Sequence, residues 1–190
     1  MWAKSLFDYC LAILLLPILL PIIIILVMVA TIDTGKFGLF SQERIGKNGQ
    51  VFSIYKIRSM KGNSNSFVTT QKTHEITKFG NFIRNTKLDE MPQLFNILLG
   101  DMSFVGPRPD VKGYADVLEG ENRIILDVKP GITGPAQIAF RNEEELLNNQ
   151  ENPLEYNDEV IWPEKVKINK DYVQNQSVWS DLNYIFKTFF

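Results

Sequence analysis

The sequence predicts a mostly α-helical protein with a small β element, an α+β fold carried on an N-terminal membrane segment. Three observations lead there. Residues 11–30, LAILLLPILLPIIIILVMVA, contain no charged side chain. Residues 74–85 and the stretch after Asp89 repeat apolar residues at helical spacing. Residues 49–60, GQVFSIYKIRSM, set Val51, Ser53 and Tyr55 against Phe52, Ile54 and Lys56, the alternation of a short strand.

Length and charge bound the rest. The chain has 190 residues, with Lys+Arg 20 against Asp+Glu 22. One domain with an appendage is expected. The even charge balance gives no basic footprint for nucleic acid. The single cysteine, Cys10, rules out an intrachain disulfide framework and reads as a small hydrophobe inside the apolar run.

The apolar run is long enough to matter to a bilayer. At ~1.5 Å per residue, ~20 helical residues cross a ~30 Å hydrocarbon core. Pro17 and Pro21 are four apart and fall on one helical face. Each lacks an N–H, so the carbonyls of Ile13 and Pro17 lose their helical partners. A bend is expected there. Lys4 lies before the run, and Lys36, Arg44 and Lys47 lie after it. Basic residues on both sides leave two topologies open: a single span, or a helix-break-helix that enters and leaves by one face.

Beyond it, DTGKFG (33–38) is a polar turn and KGNSNS (61–66) a Gly/Asn/Ser loop. Residues 74–85, HEITKFGNFIRN, form a helix through Ile76, Phe79, Phe82 and Ile83. His74, the only histidine, reads as a surface residue, because a metal site built on one His needs other ligands nearby. A further helix is expected from Asp89, stopped by Gly100. GDMSFVGPRPD (100–110) and KPGITGPAQ (129–137) read as rigid loops, and RNEEELLNN (141–149) as a short surface helix. The C-terminal YVQNQSVWSDLNYIFKTFF is rich in aromatics and suits either a membrane interface or a core helix.

The stretch TKLDEMP (86–92) holds the chemistry worth weighing. Adjacent Asp89 and Glu90 before Pro92 are well explained as first-turn helix charges, stabilised by ~0.3–1 kcal/mol each. They also suit a division of labour, in which one carboxylate attacks phosphorus and the other holds a divalent cation. Arg84, Lys87, Arg108 and Lys129 are cations in turn-rich segments around them, suited to phosphate. Residue chemistry alone leaves both readings open.

The segments FDYCLAILLLPILLP, QERIGKNGQVFSIYKIRSM, FIRNTKLDEMPQLFNILLGDMSFVGPRP and KPGITGPAQ resemble the bacterial sugar transferases, the small monotopic phosphoglycosyl transferases. The resemblance covers nearly the whole chain in order. It implies a re-entrant membrane helix over residues 1–32, broken near Pro17 and Pro21, and a cytoplasmic catalytic domain over 33–190 with membrane-interface helices. It implies a monotopic protein of the bacterial inner membrane, with its catalytic domain facing the cytoplasm. The implied reaction moves a sugar 1-phosphate from a UDP-sugar to a polyprenyl phosphate, usually undecaprenyl phosphate, and releases UMP. By the same resemblance Asp89 is the nucleophile and Glu90 the Mg²⁺ ligand. Arg84, Arg108, Lys129, Gln137 and Lys56 are the implied substrate-binding residues.

Two positions depart from the family pattern. Leu20-Pro21 stands where the family has Ser-Pro, and Pro135 of GITGPAQ replaces a tryptophan. The competing readings are a membrane-anchored binding protein without catalysis, and a glycosyltransferase that releases UDP.

Overall fold

The structure is a computed structural model that describes residues 2–61 and 76–189. His74 and nearly all of the expected 61–66 loop lie outside the described residues. Helices dominate. They are α1 (Trp2–Thr34), α2 (Lys78–Asn85), α3 (Gln93–Leu99), α4 (Pro135–Ala139), α5 (Glu143–Asn148), α6 (Pro153–Tyr156), α7 (Trp162–Asn175) and α8 (Val178–Phe189). Two two-stranded sheets accompany them: β1 (Leu39–Ile45) with β2 (Val51–Ile57), and β3 (Ser103–Val105) with β4 (Gly131–Thr133). The expected mostly α architecture with a small β element is what is observed.

α1 is long and apolar enough to cross a membrane, and only 17% of its most apolar window is buried. A core helix of a soluble protein would bury most of that surface. The break expected at Pro17 and Pro21 does not interrupt the helix. Both prolines lie inside one continuous run of helical residues. A proline removes one helical hydrogen bond and bends the axis, yet its neighbours keep their bonds, so the helix persists through it.

The chain divides into two compact units. One comprises Asp8–Arg44 and Phe52–Gly100; the other comprises Met1–Phe7, Ile45–Val51 and Asp101–Phe190. In the first, Leu26 and Ala30 of α1 form a core with Ile57 and Ile83, and Phe79, Leu88 and Met91 pack against it. The chain turns back on α1 at Gly38, whose N–H donates to Thr31 Oγ1 at 2.8 Å. Arg58 N–H then donates to Gly38 O at 2.6 Å, which ties the end of β2 to that turn. α2 starts behind Thr77, whose side chain accepts from Gly80 N–H at 2.8 Å, and Ile76, expected inside the helix, instead bridges Met60.

The helix expected from Asp89 begins later. Leu88–Glu90 form a single 3₁₀ turn, and α3 starts at Gln93 after Pro92. Proline has no N–H to donate to a preceding carbonyl, so the α-helix starts fresh behind it. Gly100, with φ of 90°, ends α3 as expected.

In the second unit, the two loops expected at 100–110 and 129–137 each contain a short strand. β3 and β4 pair in parallel, Ser103 with Gly131 and Val105 with Thr133. A three-residue strand is too short to show alternation in a Gly/Pro-rich sequence. The loops lock further through Gly106 N–H to Thr133 O (2.9 Å) and Gly131 N–H to Pro107 O (2.8 Å). A Cβ on Gly131 would overlap the Gly106 backbone nitrogen, so this close approach requires glycine. Ile45, Ala115, Ile125, Leu126 and Val166 form this unit's core, with Trp162 packed against it.

α8 is inside out by the usual rule. Trp179, Leu182 and Phe186 share one face and are exposed, Trp179 at 83%. Asp181, on another face, is 1% exposed. Its carboxylate pairs with Lys4 from the start of α1 and accepts from Tyr172 Oη at 2.7 Å. Lys4 Nζ also donates to Val105 O at 2.9 Å. A buried carboxylate is tolerated only when paired in this way.

Candidate active site

The geometry gathers four of the sequence-predicted residues in the unit that contains residues 52–100. Lys56 comes from β2, Arg84 from the last turn of α2, and Asp89 and Glu90 from the 3₁₀ turn. Lys87 introduces that turn with a left-handed backbone, φ of 58°. A non-glycine residue there is uncommon and costs ~1–3 kcal/mol, a pattern typical of functional turns. Arg84 O accepts from Lys87 N–H (3.1 Å) and Lys87 O from Glu90 N–H (3.2 Å). The end of α2 therefore leads directly into the dyad.

Glu90 is buried, and its Oε1 accepts from Lys56 Nζ at 2.8 Å. Asp89 differs. Its Oδ1 is buried and has no hydrogen-bond partner. Burial raises the Asp89 carboxyl above the ordinary value, Lys56 lowers it, Glu90 raises it further, and Arg84 and Lys87 lower it. The net direction is upward, so desolvation and the neighbouring carboxylate outweigh the cations. An ionised Asp89 in this setting has lost hydration without gaining hydrogen bonds to that oxygen. Such a carboxylate is a stronger nucleophile than a solvated one.

Among the described residues, no group of three or more His, Cys, Asp or Glu gathers to hold a metal. The carboxylate oxygens on hand are those of Asp89 and Glu90. Mg²⁺ takes one or two carboxylates and fills its remaining positions with water and substrate phosphate oxygens, so the residues present fit that ion.

Arg108, Lys129 and Gln137 belong to the other unit. The Gly131 N–H to Pro107 O bond draws together the chain on either side of it, and that chain carries Arg108 and Lys129. Gln137, in α4, donates from Nε2 to Gly131 O at 3.4 Å, and its buried Oε1 has no hydrogen-bond partner. Pro17 and Pro21 lie within α1, apart from both clusters in sequence.

One participant escaped the sequence reading. Asn96 of α3 is fully buried, accepts from Tyr55 N–H at 3.1 Å and donates from Nδ2 to Ser53 O at 2.7 Å. The available signal was an amide set inside the apolar run Leu94, Phe95, Ile97, Leu98. A buried amide needs partners, and nothing local in sequence supplies them.

A family model described as bacterial sugar transferase matches residues 1–190. The UDP-glucose:undecaprenyl-phosphate glucose-1-phosphate transferase of Escherichia coli (strain K12) is 37% identical, over 96% of this chain and 38% of its own. The undecaprenyl-phosphate galactose phosphotransferase of Salmonella typhimurium is 34% identical, over 97% of this chain and 39% of its own. The exopolysaccharide production protein ExoY of Sinorhizobium fredii is 32% identical, over 98% of this chain and 83% of its own. The chain thus spans about two-fifths of the first two relatives and most of the third.

The raised Asp89 carboxyl has a consequence for stability. A carboxyl that holds its proton more tightly when folded favours the folded state below its unfolded pKa, and that advantage is lost as pH rises through the folded value. At neutral pH the ionised group works against folding. Asp89→Asn should therefore melt higher than wild type at pH 7.5, with the difference shrinking as pH falls toward the carboxylate range. Thermal melts across pH check this; a variant that melts lower at pH 7.5 contradicts it.

Proposed function

The chain belongs to the bacterial sugar transferase family, and from that premise we propose that it transfers a sugar 1-phosphate from a UDP-sugar to a polyprenyl phosphate. Undecaprenyl phosphate is the acceptor in the names of its Escherichia coli and Salmonella relatives. The observation that carries the reading to particular atoms is the buried, unpartnered Asp89 Oδ1 beside a Glu90 already anchored by Lys56.

In the first half-reaction Asp89 attacks the phosphorus that bears the sugar. The P–O bond to the α-phosphate breaks, and UMP leaves with the bridging oxygen. Asp89 becomes an acyl phosphate carrying the sugar. In the second, an oxygen of the polyprenyl phosphate attacks the same phosphorus. The Asp89 carboxylate departs, leaving a polyprenyl diphosphate sugar. Lys56 holds Glu90 in one orientation, and Arg84 contributes positive charge near the nucleophile. Arg108, Lys129 and Gln137 bind substrate in this reading, on their likeness to the family motif. Mg²⁺ held by Glu90 would neutralise charge on the pyrophosphate oxygens. Two half-reactions at one carboxylate let a soluble donor and a lipid acceptor react in turn.

The reading includes a monotopic protein at the cytoplasmic face of the bacterial inner membrane, with α1, bent rather than broken at Pro17 and Pro21, entering and leaving by that face. Support comes from Lys4. It pairs with Asp181 and Val105 O, both far downstream of α1. Among the described residues, α1 is the one helix fit to cross a membrane. A single crossing would strand Lys4 on the side opposite residues 35–189, where it could not meet Asp181. The exposed Trp179, Leu182 and Phe186 stripe of α8 suits an interfacial helix.

With undecaprenyl phosphate and a panel of UDP-sugars, the released nucleotide should be UMP, and Asp89→Asn should lower turnover by at least ~10⁴-fold, as loss of a covalent nucleophile does. UDP release, or near wild-type turnover in that variant, overturns the mechanism. Cysteines placed at positions 2, which is 85% exposed, and 36 in a Cys10→Ser background should both react with a membrane-impermeant reagent from the cytoplasmic side alone. Reaction from opposite sides overturns the re-entrant topology.

A further inference from the structure

We propose that Asn96 is a positioning residue for phosphoglycosyl transfer, fixing the register of β2 so that Lys56 meets Glu90. The proposal rests on the function argued above. Its geometry lies entirely within the unit that contains residues 52–100.

The Asn96 amide does the work of a missing strand. In a β-strand, the carbonyl of one residue and the N–H two residues on point to the same edge. Asn96 takes both groups, accepting from Tyr55 N–H and donating to Ser53 O. Among the described residues β1 is the only strand paired with β2, so the amide occupies an edge that no described strand covers. Two bonds in opposite senses define one register, and a slip of one residue would fit neither.

The next residue after Tyr55 is Lys56. Side chains alternate between faces along a strand, so a one-residue slip would send position 56 to the face away from the dyad. On the other side of the tie, Glu90 and Asn96 lie in one continuous hydrogen-bonded run. Glu90 N–H reaches Lys87 O, Met91 N–H reaches Leu88 O, Leu94 N–H reaches Met91 O, and Phe95 N–H reaches Pro92 O. What Asn96 fixes is therefore the position of β2 relative to Glu90. The Lys56–Glu90 contact at 2.8 Å follows from that placement. Asn96 touches no reacting atom; it acts through Lys56, and Lys56 through the Glu90 carboxylate.

A structural role alone would lower stability without selective damage to chemistry. The test separates the two with Asn96→Ala, Lys56→Met and the double variant, assayed by UMP release. Ile97→Ala, a buried neighbour on α3, serves as a control for lost stability. Asn96→Ala should lower kcat by ~10–100-fold, as loss of an outer positioning partner does, with KM for the UDP-sugar nearly unchanged. The double variant should be no worse than Lys56→Met. The proposal is overturned if Asn96→Ala matches Ile97→Ala in kcat, or if its loss multiplies with that of Lys56→Met. Should Asn96→Ala fail to fold, Asn96→Ser gives the same comparison with less lost polarity.

A second readout needs no turnover. The melting shift caused by Glu90→Gln is measured in wild type and in the Asn96 variant. Coupling through Lys56 requires the shift to shrink when Asn96 is absent; equal shifts overturn the proposal even if the enzyme is active. Conversely, a wild type that releases no UMP from any UDP-sugar rejects the function, while a reduced shift would still uphold the Asn96–Lys56–Glu90 linkage.

Discussion

Two neighbouring carboxylates in one short turn, Glu90 buried and Asp89 half-buried, repel each other and lose hydration together, so the turn needs a cation from elsewhere. Lys56 meets that need on Glu90, from a strand far away in sequence. The consequence is asymmetry. Glu90 is anchored, and Asp89 keeps a buried oxygen without a hydrogen-bond partner. The same asymmetry is what the proposed division of labour, Glu90 holding and Asp89 attacking, requires. It also explains why burial outweighs three nearby cations at Asp89, because the most influential of them is already engaged with Glu90. The backbone around the dyad serves this arrangement. Lys87 accepts a left-handed conformation, Pro92 delays the start of α3, and Asn96 holds β2 where its lysine is required.

A second constraint concerns exposed apolar surface. α1 exposes apolar surface that water would not tolerate, and α8 turns Trp179 and Phe186 outward while burying Asp181. Read for a soluble protein, α8 has its faces reversed. Read for a protein resting on a membrane, it places aromatics at the interface and commits its carboxylate to the interior. The Lys4–Asp181 pair joins the two helices, and both Lys4 and Tyr172 reach the carbonyl of Val105. That carbonyl immediately precedes Gly106-Pro107-Arg108. The first turn of α1, the inner face of α8 and the loop that carries Arg108 thereby share one buried polar cluster, within a single unit of the chain.

Much of this was legible in the sequence, and the reasons are physical. An uncharged apolar run announced α1, apolar residues at helical spacing announced α3 and α2 from Lys78 on, and Gly100 announced where α3 stops. Local alternation announced β2. What stayed hidden depends on partners distant along the chain. β3 and β4 are three residues each and are held by glycine-to-glycine backbone approach, which leaves no side-chain pattern to read. The break expected at Pro17 and Pro21 proved to be a helix that tolerates two prolines, because the lost bonds are local and their neighbours survive. Asp89, Glu90, Arg84 and Lys56 were nameable from family resemblance, and the structure brings those four together. The unequal state of the two carboxylates was not nameable, since it is set by a strand-borne lysine. Asn96 was passed over because a single amide in an apolar run carries no motif.

The central claim is that the sugar phosphate passes through a covalent bond to Asp89. Intact-protein and peptide mass spectrometry after incubation with the accepted UDP-sugar, with no lipid phosphate present, addresses it directly. The account predicts a mass increase equal to the sugar phosphate on the peptide bearing Asp89, with one UMP released per adduct and loss of the adduct when polyprenyl phosphate is added. Absence of any adduct, with UMP formed only when both substrates are present, would contradict it.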